Sequence, residues 1–256
     1  MARIINIPLS FVVLFFLIFT AFGRQATSSQ DSVLDQAYRT AIKDAALRDP
    51  RNVSQDLTVI DRSNMNLTWS GDRSQVLVVT WKSRDSFNRY YRDKRTTDRA
   101  EKNVTWVTAA PEVQKFCEKF FKLSHDEHAL ELRLKEFLGL DPSWNYDVFV
   151  EMWVRPTDLF RPCPDPEITD SKCNLDLSDK PPLVRHIKNY NSFFKNLYYE
   201  RFRSQPMAPW TGLGYTYDWG SQGSKRGASE FIMVPKARYT LRREPLTTAE
   251  YCSSAQ

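Results

Sequence analysis

VFVEMWVRPTDLFRPCPDPEITDSKC, from Val148 to Cys173, decides how this chain folds. It begins as a strand, predicted over Tyr146–Val154. Val148, Val150, Met152 and Val154 fall on one face and Phe149, Glu151 and Trp153 on the other, the two-residue period of a pleated backbone. Pro156 turns the chain into a short helical piece, because a fixed φ and a missing N–H suit a first helical position better than a strand. A loop follows that prolines restrict and that Cys163 and Cys173 close. Glu151 rides on the strand, and Asp165, Glu167 and Asp170 on the loop.

Working towards the N-terminus, QVLVVTWK over Gln75–Lys82 is an unbroken apolar run, which suits a central strand covered on both faces. Short strands are predicted at Leu57–Ile60, Met65–Ser70 and Asn103–Ala109. The basic, aromatic connection Ser83–Lys102 has mixed charges and is expected to be a solvated excursion. A helix over Ser32–Leu47 has Val33, Leu34, Ala37, Tyr38, Ala41, Ile42 and Ala45 at spacings of three and four. Pro111 opens a second helix. Ser124-x-x-Glu127 has the form of a capping box for a third helix, which Gly139 ends.

Beyond the opening stretch, Pro181-Pro182 introduces a long helix over Leu183–Phe202. Gly220–Gly227 is expected to be a turn, Glu230–Val234 and Ala237–Arg242 strands, and Thr247-x-x-Glu250 the cap of a last helical turn. Helices and strands mix without regular alternation, and hairpins are present. The expected fold class is α+β, a largely antiparallel sheet packed by several helices.

The chain has 256 residues, 36 basic and 31 acidic. Residues 1–23 have the form of a secretory signal peptide: Arg3, an uncharged run from Ile4, and Ala21-Phe22-Gly23 as the small-residue cleavage pattern. The rival reading is an uncleaved membrane tether, since the run is about 20 residues long. Residues 24–30 are a polar linker, and 31–256 are expected to form one domain. The charge is too mild and too mixed to point to a nucleic-acid partner. Secreted or periplasmic localisation follows from the leader.

Cys117, Cys163, Cys173 and Cys252 survive leader removal, and an even number in an exported chain implies two disulfides. Three pairings are possible. Cys163–Cys173 closes the shortest loop and is the easiest to form. Cys117–Cys252 would then tie a helix to the C-terminus. No C-x-x-C is present, and the histidines are not spaced to complete a zinc site; His125 and His128 lack the i, i+4 spacing of H-E-x-x-H. No metal and no cofactor are expected.

No G-x-S-x-G, P-loop, Rossmann glycine fingerprint or EF-hand occurs. Candidate chemistry therefore rests on residue types. Glu151, Asp165 and Asp218 are candidate acid and base residues for glycoside hydrolysis, which uses paired carboxylates. Glu151, between Phe149 and Trp153, is the one that desolvation would perturb; the competing expectation is an ion pair with Arg155 or Arg161. The D-P-E-I-T-D loop offers oxygen ligands but lacks the glycine and ligand count of a calcium loop. Trp210, Tyr215, Tyr217 and Trp219 form a candidate aromatic binding platform, with core packing as the competing use. Asn52, Asn66 and Asn103 begin N-x-S/T sequons.

Six segments together carry a resemblance. They are VLVVTW (Val76–Trp81), the WVT-x-x-PE-x-x-x-FC pattern (Trp106–Cys117), LRL-x-x-x-LGL-x-P (Leu132–Pro142), Phe149–Cys173, PWT-x-LGYTYDWG (Pro209–Gly220) and EYC (Glu250–Cys252). In these the chain resembles a family of exported bacterial proteins, chiefly cyanobacterial. The resemblance implies export across the inner membrane, with the sequons unused, and brings no activity with it. The expected function is a non-catalytic binding or envelope-associated protein, with a polysaccharide or envelope component as partner. The alternative is a carbohydrate or cell-wall hydrolase using a Glu/Asp pair.

Overall fold

A computed structural model describes residues 31–254. The leader 1–23 and the linker 24–30 lie outside the described residues. No helix among the described residues is long and apolar enough to cross a membrane.

The core is an antiparallel eight-stranded sheet with helices against it, the α+β class expected. Helix α1 covers residues 31–45. Then come β1 (Val76–Lys82), α2 (Arg84–Tyr90), β2 (Thr105–Ala109), α3 (Ala110–Ser124), α4 (Glu127–Phe137), β3 (Val148–Val154) and β4 (Leu159–Phe160). The chain continues with α5 (Tyr190–Phe202), β5 (Tyr215–Tyr217), β6 (Arg226–Met233), β7 (Tyr239–Leu241), β8 (Leu246–Thr247) and α6 (Thr248–Ser253). The strand order is β4-β6-β2-β1-β3-β7, with β5 also on β6 and β8 also on β3. The QVLVVTWK run thus lies centrally, between β2 and β3.

Alternation divides β1 between two cores. Leu77, Val79 and Trp81 point to one face, where Val113 and Cys117 of α3, Leu130 and Leu134 of α4 and Tyr251 of α6 cover them. Val76 and Val78 point to the other face, with Val150, Met152 and Phe231, and meet Ile60, Leu67 and Phe87. Each face removes a row of branched side chains from water, at about 1.5–3 kcal/mol for each fully buried side chain. Phe160 and Ile232 are paired across β4 and β6, so they share a face with each other and with Glu230. Helix α5 covers that end: Tyr190 and Phe193 lie 5.8 Å and 5.6 Å from Phe160, ring centre to ring centre. The first face is therefore roofed at one end by α3, α4 and α6 and at the other by α5.

Both disulfides form, Cys117–Cys252 joining α3 to α6 and Cys163–Cys173 closing the acidic loop. Thr247 and Glu250 make the reciprocal capping box of α6.

Four local expectations are corrected. Leu57–Ile60 and Met65–Ser70 form no strand; only Trp69 makes an isolated bridge, to Val76. The backbone N–H groups of Leu57 and Ile60 donate instead to Ser171 and Ile168, so this segment braces the acidic loop rather than extending the sheet. The cap of α4 is Asp126, whose carboxylate accepts from His128 and Ala129, and not Ser124, because α3 runs through Ser124 and ends with His125 left-handed at φ 50°. The long helix starts only at Tyr190, capped by Asn189, and Leu183 is fully exposed. The Pro181-Pro182 segment instead brings Arg185 into an ion pair with the fully buried Asp158. Finally, Ser83–Lys102 is not wholly solvated: α2 buries Phe87 completely.

Candidate functional site

The carboxylates expected to act as acid and base are all held by partners. Glu151 is 3% exposed, but Arg242 Nη1 lies 3.0 Å from Oε1 and Arg243 Nε 2.6 Å from Oε2. The expected partners Arg155 and Arg161 are used elsewhere: Arg155 on Asp158, and the fully buried Arg161 on Asp170 at 2.8 Å. Asp218 forms a two-pronged pair with Arg133, at 2.8 Å and 2.6 Å. Asp165 accepts from the Asn174 N–H at 2.7 Å, and burial pushes its carboxyl up. No two of the three share a partner.

The acidic loop is a clasp. Arg161 donates to Thr58 O and Asp170 O, and Tyr190 Oη donates to the carbonyls of Arg161 and Cys163. Cys163, Asp165 and Cys173 lie close enough together to suggest a metal site. Both sulfurs are spent in the disulfide, so the group offers one carboxylate and no thiolate.

The four aromatics do not form one platform. Trp219 packs edge-on against Tyr38 of α1 at 5.9 Å, and Tyr217 joins the same cluster. Tyr215 packs beside Cys163 and Cys173, and its hydroxyl donates to Asn52 O. Tyr215 and Tyr217 do border a wide cleft of about 650 Å³. Four of its charges form ion pairs, Asp49 with Arg51 and Asp56 with Arg226, and Lys225 donates to Ser221 O. Trp210 is the exception. Its ring meets Phe194 and Trp106, and its indole N–H is buried without a regular hydrogen bond.

That indole leads to the residue that sequence reading passed over, Glu230. Across the sheet Glu230 stands opposite Thr108, Thr108 opposite Val79, and Val79 opposite Glu151. The two glutamates therefore lie on one row and one face. Three strand spacings separate them, about 14 Å, beyond the ~5–9.5 Å of paired glycosidase carboxylates. The residue is half-buried, but its Oε2 is out of solvent contact and has no hydrogen-bond partner. Desolvation pushes its carboxyl up to about 7, against smaller opposing effects of Arg201 and of the Trp210 indole N–H. The indole faces the carboxylate without the distance and angle of a true hydrogen bond.

Glu230 lines a cavity of about 100 Å³. Its floor is sheet: Val79, Trp81, Trp106, Thr108 and Phe149. Val113, Leu138, Leu140, Tyr146 and Thr216 complete the walls. Thr216 has no hydroxyl to spare, since it donates to Phe137 O and accepts from Ala228 N. The signal for Glu230 was present in SEFIMV: an acid alternating with Ala228 and Ile232 in an apolar strand, the same pattern that singled out Glu151.

The chain matches no family model, no curated protein and no solved structure.

Proposed function

We propose that this is an exported, non-catalytic binding protein whose ligand enters the cavity at Glu230. One observation carries the reading: Glu230 is a carboxylate without an ion pair in a cavity of aromatic walls, while Glu151 and Asp218 are each neutralised by arginine. A burying protein normally pairs such an oxygen, because leaving it unsatisfied costs about 1–3 kcal/mol or more. An arriving ligand that supplies the missing donor recovers that cost.

Hydrolysis is the weaker reading. Two-carboxylate glycoside chemistry needs an acid and a base facing one bond, and Glu230 has no second carboxylate within that reach on its row. Export is supported by the two disulfides, which persist in oxidising compartments, together with the form of residues 1–23. An envelope location and the cyanobacterial resemblance are parts of the same proposal.

The test compares the wild-type protein with Glu230→Gln after exposure to pooled small metabolites, using native mass spectrometry. Retention of a small molecule by the wild type and its loss in the variant is the expected result. Equal retention by both proteins, or turnover of a polysaccharide that Glu151→Gln abolishes, would overturn it.

A further inference from the structure

We propose that the Glu230 cavity takes a small organic ammonium ion, its charge paired with the carboxylate and its carbon groups packed on Trp81, Trp106 and Tyr146. This rests on the cavity being the ligand site and adds the class of ligand.

The sign of the site comes from strand alternation. Val79 and Trp81 point into the cavity, so Thr80 and Lys82 direct their side chains to the opposite face and border it with backbone; Val107 does the same between Trp106 and Thr108. Glu230 is then the one charged side chain directed inward among the lining residues. No described lysine, arginine or histidine comes within ion-pair distance of it. Arg201 acts on it from further off.

The walls favour the same ligand. Indole and phenol faces carry negative potential and attract cations. Trp106 holds the Arg201 guanidinium 4.6 Å from its ring centre, so that face is taken and the ligand's charge falls to Glu230, Trp81 and Tyr146. An alcohol would give the carboxylate one hydrogen bond but no ion pair, and an anion would be repelled by it. At about 100 Å³ the cavity is somewhat smaller than the ~150 Å³ that admits benzene. Three or four carbons with one ammonium group fit that size.

Binding must be coupled to protons. An ammonium pairs with ionised Glu230, so affinity rises as pH climbs through about 7, where this carboxyl titrates. Tyr146, on the cavity wall, does not change charge there. Burial pushes Tyr146 up to about 12.

The experiment titrates the protein with isopropylammonium, isopropanol and isobutyrate, following tryptophan indole N–H signals by NMR at pH 8 and pH 5.5. Isopropylammonium is expected to bind at pH 8, about 30-fold tighter than at pH 5.5 by proton linkage, and at least tenfold weaker in Glu230→Gln. Glu230→Leu serves as a second variant with the same expected loss. Isopropanol or isobutyrate matching the ammonium at pH 8, with the effect lost in Glu230→Gln, overturns the ammonium class and leaves the cavity as the ligand site. Absence of any response to all three overturns the ammonium proposal, and the metabolite-retention comparison decides the site separately. Ammonium binding that survives both variants also overturns the proposal.

Discussion

Replacing Glu230 by glutamine should make the protein more stable at alkaline pH and leave it unchanged in acid. Glu230 titrates at about 7 in the fold against an ordinary value of 4.5, because burial penalises its charged form. The folded state therefore holds a proton that the unfolded state has already lost between these values. Stability falls as pH rises from about 4.5 through about 7. The gap, at 1.36 kcal/mol for each pKa unit, is worth about 3 kcal/mol above pH 8. Glutamine keeps the shape and removes the titration. For a domain of this size that is about 6–12 °C in melting temperature at pH 8. The assay is urea unfolding and thermal melting of both proteins from pH 4 to pH 8.5. The quantity of interest is the pH dependence of their difference, which cancels other titrating groups. A difference that stays flat across this range would refute the burial of an uncompensated carboxylate, whatever its absolute size.

Other consequences are as specific. Replacing both Cys117 and Cys252 by alanine opens a 135-residue span and should cost about 5 kcal/mol in the chain-entropy model, against about 3 kcal/mol for Cys163 and Cys173, 10 residues apart; urea midpoints under non-reducing conditions check the order. Arg133→Leu leaves Asp218, 5% exposed, without its cation and should destabilise by about 3–5 kcal/mol, whereas Arg133→Leu combined with Asp218→Leu should recover much of that loss in the same denaturation assay. Gly214 has φ +77°, and a Cβ there would lie 2.5 Å from Arg161 Cδ and 2.8 Å from Cys173 Sγ, so Gly214→Ala should cost about 2 kcal/mol or more and loosen the clasp, seen as faster proteolysis within Pro162–Cys173.

Local pattern determined a good part of this protein. The two-residue period of Tyr146–Val154 and the apolar run of Gln75–Lys82 determined two central strands and both their faces, because side-chain alternation is a property of the backbone itself. The cap at Thr247 and Glu250 and the left-handed glycine at Gly139 follow from equally local geometry. The cysteine count implied two bridges, and the short span of Cys163 and Cys173 favoured the pairing found.

Tertiary structure decided which charges are free. Nothing near Glu151 in sequence says that Arg242 and Arg243, on the far side of the chain, neutralise it; β7 and β8 pairing with β3 does that. The residues at Leu57–Ile60 have strand-like composition, yet their N–H groups found carbonyls in the acidic loop before any sheet edge. Glu230 and Glu151 look alike in sequence, an acid in an apolar strand. They differ because one stands beside two arginines and the other lines a cavity without an ion-pair partner. Periodicity sets the face on which a carboxylate lies, but ion pairing and desolvation depend on neighbours brought from distant parts of the chain, and those only the assembled sheet supplies.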